Sequence, residues 1–321
     1  METSLRPLTL SEILDRTAQL YRENFLLFAG IFAVYSGVAL VLSIPSVFLL
    51  AGIKPQQPTG ASQALLLFSV IGVVSLLLFV FYGAATAAIT RAVAWVHLGE
   101  PATVGRAYSS TLPRLGRYVW LKIITGFMIF LVLFACIMIL AILAVVVAAV
   151  FAASHSAGAP VVTAIVFLLY IPSGFLAIWM ALRYSLAIPA CVVENLPARK
   201  AIRRSVELTK GSRGRIFLLW LLVGVVWAGL FGLTHSFFFI YSAMHQNTLP
   251  IGLSILEQIL TFFMNTFVGP ILATGTTLFY YDQRIRKEGY DIEWMMQAAG
   301  LTVPETPLAA AAEPPSTAEQ S

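Results

Sequence analysis

The chain has 321 residues, 59% of them hydrophobic and only 11% charged, with mean hydropathy +0.86 and net charge +5. A water-soluble domain runs nearer 45–50% apolar and about 25% charged, so lipid is the solvent for much of its length and a soluble globular enzyme is excluded. Two cysteines, Cys136 and Cys191, in or beside apolar runs exclude a disulfide framework and a CxxC-type metal site.

The first 24 residues carry charges throughout and lack an early apolar stretch, which reads against a cleaved signal peptide. Within them, "TLSEILDRTAQLYRENF" predicts an amphipathic helix. Thr9 and Glu12 fit a capping box. Leu10, Ile13, Leu14, Thr17, Tyr21 and Phe25 share one side at 3.6 periodicity, and Glu12, Asp15, Arg16, Gln19, Arg22 and Glu23 the other. Such a helix, over residues 1–25, is expected to lie in the headgroup plane on the cytoplasmic side.

Six apolar stretches follow, at roughly 26–50, 64–90, 119–152, 161–182, 216–241 and 253–280. Each is long enough to cross the hydrocarbon as a helix, at about 20 residues of 1.5 Å rise. The third is too long to stand upright, so it must tilt or project beyond the bilayer. The predicted fold class is therefore all-α, a polytopic six-helix transmembrane bundle occupying residues 26–282.

Orientation follows from Lys and Arg. If both termini are cytoplasmic, 19 of the 20 cations lie on that side. They sit in the N-terminal segment (Arg6, Arg16, Arg22), around the 91–118 loop (Arg91, Arg106, Arg114, Arg117, Lys122), around the 183–215 loop, and after the last span (Arg284, Arg286, Lys287). Lys54 alone is opposite. The expected location is a bacterial cytoplasmic membrane, with a charged anchor at 283–300 and an Ala/Pro/Glu-rich, disordered tail at 301–321.

In the second basic loop, "ENLPARKAIRRSVELTKGS" predicts a helix with Asn195 as cap, Pro197 in the first turn and Gly211 as the stop. Its milder face is Ala198, Ala201, Ile202, Ser205 and Leu208. The 91–118 loop is a poorer helix in the equivalent place. Aligning Arg16, Arg106 and Arg204 suggests three pseudo-repeated hairpins, each preceded by a cytoplasmic elbow. Any six-span chain with inside loops shows some periodicity, so repeat and coincidence both stay open.

Two clusters are candidate sites. Arg199, Lys200, Arg203, Arg204, Lys210, Arg213 and Arg215 would attract anionic lipid headgroups, or merely set topology. In the last span, Glu257, Gln258, Thr261 and Asn265 share a polar face, and Glu257 lies about one turn inside the boundary: an intramembrane proton or cation site, or an acid reaching water. Pro172-Ser173-Gly174 and Gly269-Pro270 would mark broken helices of a transport site, or ordinary proline kinks. The histidines do not converge and no HExxH, Walker A, GxSxG or GxGxxG motif is present. No catalytic, metal or cofactor residue is assigned, and the basic loops are too short for a nucleic-acid-binding domain.

"RPLTLSEILDRTAQLYRENF", "ARKAIRRSVELTKGSRGRIFLL" and "YYDQRIRKEGYDIEWM" together resemble the glycerophosphoryl diester phosphodiesterase membrane-domain family and the YciC-like bacterial membrane proteins, over about residues 5–296. The resemblance covers the membrane part only. A catalytic barrel needs about 250 residues, and about 40 follow the last span. It implies a non-enzymatic scaffold or accessory protein whose partners are anionic lipids or an envelope protein. A small transporter and a membrane-embedded lipid enzyme are the alternatives.

Overall fold

The computed structural model describes residues 8–51, 61–153, 159–245 and 249–288. Lys54, His155, most of the 283–300 anchor and the 301–321 tail lie outside the described residues. Among those described there is no strand, and six helices are long and apolar enough to cross a membrane. These are α2 (Phe25–Ala51), α3 (Ala61–His97), α5 (Leu115–Ala153), α6 (Ala159–Arg183), α9 (Arg213–Met244) and α10 (Ile251–Glu288). Four short helices link them: α1 (Leu10–Glu23), α4 (Val104–Thr111), α7 (Ala187–Val193) and α8 (Ala198–Thr209). The order short helix, long helix, long helix occurs three times, led by α1, α4 and α8.

The predicted capping box is present: the Thr9 hydroxyl accepts from the Glu12 amide, and the Glu12 carboxylate accepts from the Thr9 amide at 2.7 Å. The apolar side of α1 does not face lipid, however. Ile13, Thr17 and Leu20 are buried, and the helix packs on α10, α2 and α9. The elbow is part of the bundle because its apolar stripe finds a protein surface before it finds the headgroup plane.

The second basic loop also differs in detail. Asn195 does not cap α8; it sits at φ 54° and Pro197 occupies the cap position. Gly211, at φ 83°, ends the segment as expected. The short helix α7 was not foreseen: "AIPACVV" is too short for periodicity to speak, and its Pro189 falls in the first turn, where the missing N–H costs nothing.

Burial is strongly polarised along the bundle. Ala84, Ala85, Ala87, Ala88 and Ala92 of α3, the last third of α10 from Thr274 to Gln283, and the elbow helices form a close-packed layer at the basic end. Large apolar side chains further along α3, α5 and α9, such as Phe68, Ile139 and Phe239, are exposed. Lipid tails are as apolar as leucine and give no drive to bury such side chains, whereas small residues let backbones approach where packing is needed. At 39 residues, α5 is roughly 58 Å long and outruns a hydrocarbon core of about 30 Å.

Candidate functional site

The polar residues of the basic end are built into the layer in two clusters. In the first, Asp282 is fully buried just beyond the end of the apolar run of α10. Its carboxylate accepts from Arg286 Nε at 3.0 Å, Arg215 Nη1 at 3.2 Å, the Leu8 amide at 2.8 Å and Gln283 Nε2 at 3.0 Å. Both guanidinium groups also donate to the Leu8 carbonyl. One carboxylate thus holds α9, α10 and the segment leading into α1.

In the second cluster, Glu194 accepts from the Tyr280 hydroxyl at 2.5 Å and from Arg204 Nε at 3.0 Å. Arg204 also pairs with Glu288, which Arg284 approaches at 3.3 Å. Burial works against the Arg204 cation, but the hydrogen bonds it donates to Glu288 and Glu194 outweigh it and hold its pKa above the ordinary arginine value. Lys287 Nζ donates to the carbonyls of Glu207 and Lys210 at 2.7 Å each, satisfying acceptors at the end of α8. The elbows also join one another, since Arg117 donates to the carbonyl and side chain of Asn195. Tyr108 of α4 donates to the Ile31 carbonyl at 2.7 Å.

The seven cations singled out from the sequence therefore divide. Arg204 and Arg215 are ion-paired within the protein, and the Arg213 guanidinium stacks on Trp179 at 4.9 Å. Arg199, Lys200, Arg203 and Lys210 are exposed. The other side of α8, with Ala198, Ala201, Ser205 and Leu208, is buried, so helical geometry turns three of the free cations outward together. Asp282 and Glu194 were not among the residues singled out from the sequence. The signal was available: α2, α3, α5, α6 and α9 contain no acid at all, so acids bordering the spans are exceptional.

The polar face of α10 splits as well. Glu257 Oε1 lies 3.9 Å from His235 Nε2 of α9, and His235 Nε2 lies 3.2 Å from the Thr261 hydroxyl. His235 and Glu257 line a cavity of about 500 Å³ at the end of the bundle remote from the elbows, together with Ser236, Ser242 and Leu249. The sequence placed His235 near the outer face but did not pair it with Glu257, because the two share no sequence spacing. Asn265 lines a different chamber, and Gln258 is half-buried. The expectation of broken helices is not met: α6 runs through Pro172 and α10 through Pro270 without interruption. No group of three His, Cys, Asp or Glu side chains able to hold a metal occurs among the described residues.

Six spanning helices capped at one end by a layer of short helices define a polytopic α-helical membrane protein of uncharacterised activity. The chain belongs to the family described as Domain of unknown function (DUF7847), which matches residues 8–283. No curated protein and no solved structure matches the chain.

Proposed function

We propose that the protein is a non-enzymatic scaffold of a bacterial cytoplasmic membrane, with its elbow layer in the cytoplasm and its exposed cations on anionic lipid headgroups or an envelope partner. The observation that carries this reading is the division within α8. One side is anchored through Arg204 and the buried small residues, while Arg199, Lys200 and Arg203 are left facing outward. A rigidly held helix with an unpaired basic face attracts anionic headgroups by roughly 1 kcal/mol per cation. The cation asymmetry supports the orientation, and the resemblance to the glycerophosphoryl diester phosphodiesterase membrane domains fits a membrane module serving a partner's chemistry.

The test is co-purification in native-lipid nanodiscs of the protein and of an Arg199→Gln/Lys200→Gln/Arg203→Gln variant. Loss of selectively retained anionic lipid, or of one protein partner, in the variant is the expected result. Bulk membrane composition around both would reduce the cations to a topology signal.

A second reading, a small proton- or cation-coupled transporter, draws on the His235–Glu257 contact beside a cavity of about 500 Å³. It expects Glu257→Gln to abolish a pH-driven flux in proteoliposomes while leaving elbow-dependent lipid retention intact. No flux in the wild-type protein above empty liposomes would dismiss it.

A further inference from the structure

Lys122 carries a charge within α5, a helix that holds no acid. It lies two turns into α5, roughly 10 Å beyond the first residue of that helix. A lysine near a helix end ordinarily snorkels toward the nearer interface. Here Cδ passes Gly83 of α3, and Nζ lies 3.9 Å from the centroid of the Tyr82 ring. Tyr82 is roughly 22 Å of helix short of His97, where α3 reaches the elbow layer. The ammonium is therefore held within the bundle.

No carboxylate pairs with it among the described residues. Neither α3 nor α5 carries an acid, nor do α2, α6 or α9. The three acids of α10 are committed elsewhere, Asp282 to Arg215 and Arg286, Glu288 to Arg204 and Arg284, and Glu257 to His235. The face of Tyr82 offers only the partial charge of a ring quadrupole. A half-buried cation without a counterion is costly in so apolar a setting.

The space beside it matches a missing anion. Lys122 lines a chamber of about 290 Å³, open on one side, whose wall carries the hydroxyl groups of Thr86, Thr90, Thr125 and Tyr184. The Thr86 and Thr125 hydroxyls donate to carbonyls of their own helices, at 2.9 Å to Tyr82 and to Leu121. Those carbonyls also accept helical N–H groups, so the hydroxyls can turn outward at little cost. Phe32, Tyr82, Trp220, Gly269 and Leu272 line both this chamber and a second, of about 320 Å³, whose wall is mainly aromatic and aliphatic. A charged pocket continuing into an apolar one has the shape of an amphiphile.

We infer that the Lys122 chamber binds the phosphate of an anionic membrane lipid, with an acyl chain in the adjoining apolar chamber. A single ammonium matches a monoanionic phosphodiester. Among the described residues α2, α3, α5, α6 and α9 hold no acid and those of α10 are already paired, which leaves nothing to pair with the cation of a zwitterionic headgroup. The site is separate from the elbow cations and does not depend on that reading.

The experiment uses the full chain in neutral detergent, with thermal unfolding and native mass spectrometry as readouts. The probes are dioleoyl phosphatidylglycerol, dioleoyl phosphatidylcholine and inorganic phosphate. Phosphatidylglycerol is expected to raise the unfolding midpoint and remain as an adduct, and the other two to do neither. Lys122→Met is expected to weaken binding by at least about tenfold, as for removal of one partner of a desolvated charge pair, and Lys122→Arg to retain it. Thr125→Leu, which fills the chamber without touching the charge, is expected to weaken it as well and carries the test if Lys122→Met does not fold. The Arg199→Gln/Lys200→Gln/Arg203→Gln variant is expected to keep this adduct. Binding by Lys122→Met and Thr125→Leu equal to wild type, equal protection by inorganic phosphate, or loss in the elbow variant alone would each overturn the assignment.

Discussion

Asp282→Ala is expected to lower stability by roughly 3–5 kcal/mol, the cost of stranding buried charges by removing their partner. Arg286 and Arg215 both lose the one acid they pair with among the described residues, and the Leu8 amide loses its acceptor. The carboxylate is fully buried, so water does not replace these bonds. Because the Leu8 contacts join the chain's start to its last helix, the loss is expected to free α1 as well. The measurement is thermal unfolding in detergent, with a drop in midpoint on the order of 10 °C and proteolysis at the N-terminal segment. Asp282→Ala/Arg215→Met should lose less than the two single changes added, because the second removes a stranded cation. A midpoint unchanged by Asp282→Ala would show that the cluster contributes nothing to holding the ends together.

Gly269→Ala is expected to be the most damaging single-methyl change in the spans. A Cβ at Gly269 would lie 2.5 Å from Cδ1 and 2.6 Å from Cε1 of Phe32, which is itself buried. This is where α2 and α10, a closely packed pair, approach most tightly, so the ring or the helix must move. Overpacking of this kind costs about 1–3 kcal/mol. It is also expected to displace Phe32 into the chambers it lines and so reduce their volume. Phe32→Leu in the Gly269→Ala background should recover most of the stability, read as unfolding midpoint. Equal stability of Gly269→Ala and wild type would mean that the crossing is looser than these distances.

Long apolar runs have no other way to satisfy their backbone in lipid than as helices. That is why α2, α3, α5, α6, α9 and α10 were legible in the sequence, although α3 and α10 run on past their apolar stretches to His97 and Glu288. The Thr9 cap was legible for a similar reason, since its donors and acceptors lie within four residues. Helix α7 and the position of Asn195 were not, because an apolar heptapeptide and a left-handed turn residue are decided by what packs on them.

The candidate residues divide along the same line. Composition marked α8 as basic, but only the fold separates Arg204 and Arg215, spent on Glu194 and Asp282, from Arg199, Lys200 and Arg203 on the open side. Lys122 looked like one more flanking cation, and became a candidate ligand only when α3 placed Tyr82 beneath its ammonium. His235 and Glu257 stand on different helices with no spacing to connect them.

By itself the amino-acid sequence determined the membrane class, the six helices and the basic end, because hydropathy and charge act locally and add along the chain. The tertiary structure alone decided which charges are paired within the protein and which are exposed among the described residues. The partners of a charge come from segments up to 278 residues apart, as when Arg286 donates to the Leu8 carbonyl, and in a low-dielectric interior those distances set whether a charge is structural or available.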